Sequence, residues 1–397
     1  MRTETDILIA GGGPAGLIAT LAFAAQGRRA LCVDAAPPVT EEGAEGSDLR
    51  STALLMPAIR LLEEAGVWEK LAPHAAPLRV MRIIDAGGRE NRARRSRDFV
   101  AEDVGESLFG YNVMNWQLRR SLVEAIEASS ATLRAPAAVS SVAPRSAEAL
   151  VTLADGDQVA ARLAVAADGR DSTLRRLHGI DARTFRYGQK ALVFAVAHDM
   201  PHDGVSTEIH RTGGPFTLVP LPDREGVPHS AIVWMERGAE AERLMALDEP
   251  AFAAEVTARS LGVLGALRPT GPRRIWPIIT RHARRMIAPR TALIAEAAHV
   301  MPPIGAQGLN TSLGDLRALL DLTAGAEDPG APELLARYAR ARIPDIALRL
   351  GGIDLLNRAA MAEAQPLRDV RGLGLALLHD LSPIRRTAMR LGLGTAR

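Results

Sequence analysis

The chain has 397 residues, which corresponds to two or three domains at about 150 residues each. Hydrophobic residues make up 47% and charged residues 24%, ordinary globular usage that excludes a disordered chain and leaves enough apolar sequence for a large core. Lys+Arg is 48 against Asp+Glu 46, a net charge of +2, without the cationic excess that would point to a nucleic-acid partner.

Ile7-Leu8-Ile9-Ala10 is a short apolar run stopped by glycines, as a buried parallel strand is. A helix is predicted from Pro14 to about Gln26, between a first-turn proline and a terminal Gly27. Ala30-Leu31-Cys32-Val33 is a second buried strand ending at Asp34 and completes a β-α-β unit. Residues 7–27 carry no charge and approach the length of a membrane span. They contain Gly11, Gly12, Gly13, Pro14 and Gly16 and follow acidic Glu4 and Asp6, so they are read as strand and helix rather than as a span or an export signal. Arg50 to Lys70 reads as one helix with Leu54, Leu55, Ile59 and Leu62 in a stripe, and Leu118 to Ala128 as another. Ala149–Leu153 and Val159–Ala167 flank Asp155-Gly156 as a hairpin.

From Thr184 to about Ile279 the pattern changes to short strands (192–194, 216–219, 231–234) between Gly/Pro turns, which predicts an antiparallel sheet, with a helical insert over about 250–267. Thr291–Ala295 is again a buried strand, Leu309 to about Ala324 a helix, and the chain from about Pro332 is helical with an Arg-rich end. The Arg cluster at 89–97 reads as a solvated loop or strand face. Cys32 is the single cysteine, so neither an intrachain disulfide nor a thiolate metal cluster is available, and a cytoplasmic location fits.

Three loops carry the chemistry. Gly11-Gly12-Gly13-Pro14-Ala15-Gly16 is a GxGxxG between strand and helix, and Asp34 lies 18 residues past Gly16. Glycines let the backbone approach a pyrophosphate, the helix N-terminus favours its charge, and the acid accepts ribose hydroxyls. These features alone do not separate NAD from FAD. The second loop is Asp168-Gly169-Arg170-Asp171-Ser172, followed by Arg175. The third runs from Ala297-Ala298-His299 through Pro302-Pro303-Ile304-Gly305-Ala306-Gln307-Gly308-Leu309-Asn310 into a helix. Each follows a buried strand, so all three meet at the carboxyl edge of one sheet, where open α/β sheets bind ligands.

With these motifs in this order the sequence resembles the para-hydroxybenzoate hydroxylase-like flavoprotein monooxygenases, and among them the ubiquinone-biosynthesis hydroxylases. Asp48-Leu49-Arg50-Ser51-Thr52, the stretches 62–68, 109–113 and 115–122, and the closing 384–394 carry the resemblance, which covers nearly the whole chain. It implies an α/β fold: a Rossmann-like FAD-binding domain (1–75, 100–180, 280–345), an antiparallel-sheet substrate domain (76–99, 181–279) and a C-terminal helical segment (346–397). Gly11, Gly13, Pro14, Ala15, Gly16 and Asp34 would hold the adenosine half of FAD, with Arg50, Asn115 and Asp168 touching the cofactor and Asp168 also linked to NAD(P)H. Gly305, Gly308, Leu309 and Asn310 would lie against the flavin ring, with Pro303, Gly308, Leu309 and Asn310 as the catalytic loop. The family has Gly-Asp where this chain has Ala295-Glu296; Glu296 keeps a carboxylate for the ribityl chain but is one methylene longer, and Ala295 adds a Cβ.

The chemistry implied is hydroxylation by O2 through a flavin C4a-hydroperoxide after reduction by NAD(P)H, on a polyprenylated phenolic precursor of ubiquinone. Other readings stay open: a small soluble aromatic substrate, an NAD-binding dehydrogenase, or a weakly flavin-binding scaffold of a quinone-biosynthesis complex. No second GxGxxG unit occurs, so NAD(P)H would bind without its own Rossmann domain. No substrate base is visible; His299 reads as a structural or flavin-edge histidine, and Pro201 between His198 and His202 speaks against a metal pair on one helix face. The tail from Leu367 to Leu393 alternates apolar residues with Arg385, Arg386 and Arg390, which fits either core packing or peripheral contact with the inner face of a membrane.

Overall fold

The computed structural model describes residues 1–88 and 90–394. Its first sheet is built on four parallel pairings: Arg2–Ala10 beside Gln158–Ala166, Arg2–Ala10 beside Ala30–Val33, Gln158–Ala166 beside Thr291–Leu293, and Ala30–Val33 beside Thr132–Arg134. The register sets Ala10 opposite both Ala166 and Val33, and Ala166 opposite Leu293. The three glycine/acid loops therefore leave the sheet at one level. Backbone bonds extend the ladder into them, with Gly11 N–H donating to Val33 O at 2.8 Å, Ala167 N–H to Ala10 O at 2.8 Å and Ile294 N–H to Ala166 O at 3.0 Å. Ile7, Leu8, Ile9, Leu163, Val165 and Leu293 are fully buried, as strands covered on both faces require.

The second sheet has eight strands in the spatial order 299–300, 267–283, 182–198, 227–237, 215–224, 205–210, 80–85, 95–100. Ile209, Phe216, Leu218, Ile232 and Trp234 on one face pack with Leu244 and Phe252 of the helices Gly238–Ala246 and Glu249–Arg259. The opposite face looks back towards the first sheet. His299–Val300, at the root of the third loop, pairs with Leu267–Ala283 and joins the two sheets.

Several expected elements shift. The predicted helix 50–70 is a strand, Ser51–Leu55, then the helix Met56–Glu64 and a short turn at Trp68–Leu71. Pro57 sits in the first turn of that helix, where its missing N–H costs nothing, and it disfavours helical backbone before it. Leu54 and Leu55 pair instead with Tyr111 and Gly110. The helical insert ends at Arg259, where Leu261 and Gly262 turn to positive φ, and Gly238–Ala246 is a helix the pattern did not announce. The helices expected from 118 and 309 begin at Asn115 and Gln307, and the strand expected to reach 295 ends at Leu293.

The Arg cluster is more than a solvated face. Arg89 lies outside the described residues, but Arg94 pairs with Asp85 and Asp369, and Arg97 with Asp380. These pairs tie the edge of the second sheet to the helix Gln365–Asp380. Three helices, Pro332–Ala360, Gln365–Asp380 and Ser382–Leu393, complete the chain. No helix among the described residues is long and apolar enough to cross a membrane.

Candidate active site

In the first loop Gly11 has φ +116°, and a Cβ there would lie 2.3 Å from Ala167 O. A Cβ at Gly16 would lie 1.9 Å from Gly11 O, so these two glycines serve the close approach of strand, helix and second loop. Gly13 is different: its Cβ position is open space. Asp34 accepts from Gly12 N–H at 2.5 Å and Ala36 N–H at 2.9 Å, one contact per oxygen, so lone pairs remain for ribose hydroxyls.

In the second loop Asp168 Oδ2 accepts from Thr173 N–H at 2.7 Å and Leu174 N–H at 3.2 Å, capping the helix Thr173–Leu177. Its other oxygen, Oδ1, is buried without a partner. A buried carboxylate oxygen left unpaired is costly, and a ligand hydroxyl at the crevice would satisfy it. Arg175, 2% exposed, donates to Arg170 O at 2.9 Å and Ala297 O at 3.0 Å and so bolts the second loop to the third. Burial, with Arg281 nearby, pushes its pKa down.

The third loop is held from below. His299 Nε2 lies 2.6 Å from Asp315 Oδ2, and Arg342 donates to Asp315 Oδ1 at 2.8 Å. Ala295, Gly305 and Ala306 all have positive φ, at 55°, 61° and 57°. The first turn of the helix Gln307–Thr323 faces the cavity through Gly308, whose Cβ direction is open. Asn310 points away from that cavity wall. Its amide donates to Ala53 O at 2.7 Å and Ala306 O at 2.6 Å, and its oxygen accepts from Leu55 N–H at 2.9 Å. Glu296, half-exposed, lies 3.8 Å from Arg170.

A fourth group gathers on strand 51–55. Arg50 is chelated by Asp48 at 2.8 and 2.7 Å, Asn115 donates to Asp48 Oδ2 at 3.0 Å, and Thr52 donates to Asn115 Oδ1 at 2.6 Å. The Arg50 guanidinium sits 4.9 Å from the centre of the Trp276 ring, a cation–π contact that brings in the second sheet. Burial alone would raise the Asp48 carboxyl, but the Arg50 and Asn115 contacts outweigh it and hold the pKa below the carboxylate range.

One cavity of about 1280 Å³ connects these groups. Gly11, Gly13, Pro14, Ala15, Asp34, Arg50, Asn115, Asp168, Glu296, Pro303, Gly305, Gly308 and Leu309 all line it. Gly16 and Asn310 stand behind the wall as packing and tethering residues. Sequence reasoning passed over Arg119, which lines the cavity with a buried Nε that has no partner, as well as Trp276 and Asp315. The first carries no motif, and the other two act through tertiary contacts that no local spacing announces.

The unpaired Asp168 oxygen, the open space at Gly13 and Gly308, and the cations Arg50 and Arg119 fit a dinucleotide with a ring at the third loop. Residues 4–348 match the family described as FAD binding domain. The chain belongs to that family. It is 35% identical over 399 residues to ubiquinone hydroxylase UbiL of Rhodospirillum rubrum, covering 99% of this chain and 90% of that protein. It is 27% identical to the 3-demethoxyubiquinol 3-hydroxylase of Escherichia coli, covering 98% of each. Among solved structures, p-nitrophenol 4-monooxygenase PnpA from Pseudomonas putida aligns with a TM-score of 0.80 at 17% identity over 100% of both chains. OxyS anhydrotetracycline hydroxylase from Streptomyces rimosus aligns at 0.68 and 23% identity, over 99% of this chain and 76% of that one. These likenesses show the shared fold. The protein is a FAD-dependent monooxygenase, and the dehydrogenase alternative falls away.

Proposed function

We propose that this flavoprotein hydroxylates the ring of a polyprenylated phenol on the route to ubiquinone, using NAD(P)H and O2. One observation supports it most: the cavity does not end at the cofactor crevice. It continues along the inner face of the second sheet, past Val193, Val219 and Val233, to Leu355, Leu356 and Leu391 of the C-terminal helices. Roughly 300–1,000 Å³ holds a single drug-sized ligand, so about 1280 Å³ suits a cofactor end plus a second, apolar molecule. An aromatic head can sit at the third loop while a hydrocarbon tail runs to the helices.

Bound FAD supplies electron transfer from NAD(P)H and activation of O2. The chain supplies the setting. The free N–H groups at the start of Gln307–Thr323 place about half a positive charge beside the third loop, where negative charge on a reduced ring would be stabilised. Pro302 and Pro303 stiffen the approach, Asp168 Oδ1 and Asp34 would accept hydroxyls of the cofactor chain, and Arg50 would supply positive charge beside it. The apolar sheet face keeps water from the reacting ring.

The same helices offer a membrane contact. Leu367, Val370, Leu373, Leu377 and Leu381 form an exposed stripe, and residues 365–393 carry five arginines against two aspartates; Arg371 and Arg385 pair with Asp85 and Asp103, and the two aspartates with Arg94 and Arg97, so the segment keeps a positive balance. An anionic lipid surface is the occupant that matches both features. Replacing Leu373 and Leu377 together by Glu is expected to abolish co-sedimentation with anionic phospholipid vesicles; undiminished co-sedimentation would reject the contact. The catalytic reading is tested with the purified holoenzyme, NAD(P)H, ¹⁸O2 and methoxyphenols with and without prenyl chains. One labelled oxygen on the ring, formed faster as the chain lengthens, is the expected result. Preference for the chain-free phenols would overturn it.

A further inference from the structure

The wall of the chamber is the inner face of the second sheet, and its composition is uneven. Reading across it in register, Ile83, Thr217 and Val233 belong to one row, and Met81, Ser206, Val219 and Ala231 to the next. Glu208 lies in the first of these rows, between Ile83 and Thr217. It is 6% exposed and lines the cavity. Among the cavity-lining residues of strands 80–85, 205–210, 215–224 and 227–237, it is the one ionisable group. A carboxylate is expensive to keep in such surroundings unless something holds it.

His210 holds it. Two residues on and on the same face, its Nε2 lies 2.6 Å from Glu208 Oε1. The other ring nitrogen, Nδ1, is buried without a partner. A doubly protonated ring would leave an N–H donor unsatisfied there, whereas the neutral ring with its proton on Nε2 leaves only a lone pair. The geometry therefore favours an ionised Glu208 accepting from a neutral His210. The competing carboxylate is Asp85, directly opposite His210 on strand 80–85. Its oxygens are taken by Arg94 at 2.7 Å and Arg371 at 2.9 Å, with Arg95 beside it across the strand pair. Arg371 also donates to His210 O at 3.2 Å. From the other side, strand 215–224 presents Thr217 and Pro215, which carry no charge.

We propose that Glu208, held by His210, is the base that takes the proton from the phenolic hydroxyl of the substrate. This rests on the hydroxylase reading above. The O–H bond of the phenol breaks, an O–H bond to Glu208 forms, and the electron pair stays on the phenolate oxygen, where it enriches the ring positions that attack electrophilic oxygen. No electron changes hands in this step. When the oxygenated ring becomes aromatic again, its carbon-bound hydrogen leaves as a proton to water, its C–H electron pair returns to the ring, and Glu208 gives its proton back to the phenolate oxygen, which restores the dyad.

The test uses the holoenzyme with NAD(P)H, O2 and a short-chain 2-prenylphenol, following product and NAD(P)H oxidation separately across pH. Glu208→Gln is expected to keep its flavin and to lower hydroxylation by about 100-fold, while NAD(P)H oxidation continues into peroxide. Its residual rate should climb with pH as the phenol, of pKa about 10, ionises unaided, and the acid limb of the wild-type profile should be gone. Glu208→Asp should restore that limb. A merely structural role would not produce rescue by alkali. Wild-type coupling and an unchanged pH profile in Glu208→Gln would overturn the assignment. If that variant loses flavin, His210→Asn decides: a displaced acid limb supports the dyad and an unmoved one overturns it. Failure of the wild-type enzyme to hydroxylate any prenylphenol would instead remove the substrate reading, and this inference with it.

Discussion

The crevice and the chamber are two ends of one cavity built by opposite means. The crevice is made of loops at the carboxyl ends of parallel strands. It is rich in glycine, held by charged bolts such as Arg175 and Asp315, and contains residues at positive φ. The chamber is one face of a mainly antiparallel sheet, in which strands 205–210 and 80–85 run parallel against the antiparallel expectation, and it is apolar except for Thr217, Ser206 and Glu208. Polar atoms aimed from loops suit a ligand with many hydroxyls and phosphates, whereas a flat apolar face suits a hydrocarbon and excludes water. Damage to the first should therefore cost cofactor, and damage to the second should cost turnover with cofactor in place.

The largest effect expected is at Gly13. Its Cβ direction is open, so the apoprotein tolerates a side chain, but Gly13→Glu would put a negative charge in the space for the pyrophosphate. Flavin absorbance per chain should fall to background while the fold survives; a yellow protein would show that the phosphates lie elsewhere. Val233→Phe probes the other end, since Val233 faces the chamber from mid-strand, where an aromatic is well tolerated. Flavin content should be unchanged, and prenylphenol hydroxylation should drop tenfold or more. Equal loss of flavin would dissolve the distinction between the two ends.

Glu296 lines the crevice beside Arg170 of the second loop. Hydrogen bonds from charged groups contribute about 1.5–3 kcal/mol, so Glu296→Ala should weaken FAD binding by about tenfold or more, and Glu296→Asp should hold FAD as well or better. Equal affinity in the Ala variant would show that this carboxylate does not reach the ribityl hydroxyls.

Acid should act on the crevice through Asp48. Burial works against its charge, but Arg50 and Asn115 hold its pKa below the ordinary 3.8. A carboxyl whose folded value is depressed contributes stability above its unfolded value and loses it as pH falls through the folded one. The gap in melting temperature between wild type and Asp48→Asn should therefore be full at pH 6 and shrink below about pH 4. A gap that stays constant to pH 3 would mean that the ion pair is not what Asp48 contributes.

How far the sequence foretold these two ends follows from how each is encoded. The glycines and acids of the crevice lie within short spans, and their backbone needs are local, so Gly11 and Asp34 could be named from spacing and Asp168 from the family resemblance its loop carries. The Arg50–Trp276 stack and the Arg175 bolt needed distant parts of the chain brought together, and the Glu208–His210 pair needed residues 205–210 to be a strand. His210 in particular follows Glu208 at a spacing that means one face in a strand and nothing in a loop. The helix predicted over 50–70 failed for a related reason: Leu54 and Leu55 suit either period, and only pairing with strand 110–114 decides between them.

The smallest effect is the most specific. Ala295 stands where the resembled family has glycine, and a close approach was expected there. The structure supplies another reason: φ is +55°, a region that costs an L-residue about 1–2 kcal/mol. Glycine removes that strain but loses about 0.5–1 kcal/mol to chain entropy, so Ala295→Gly should stabilise the protein by roughly 0.5–1 kcal/mol and raise melting by about 1–2 °C, with flavin content unchanged. Ala295 is also 6% exposed in the core of the first sheet. A fall in melting temperature would therefore mean that its methyl contributes more in packing than the backbone loses in strain, and that this loop is tuned by contact rather than by conformation.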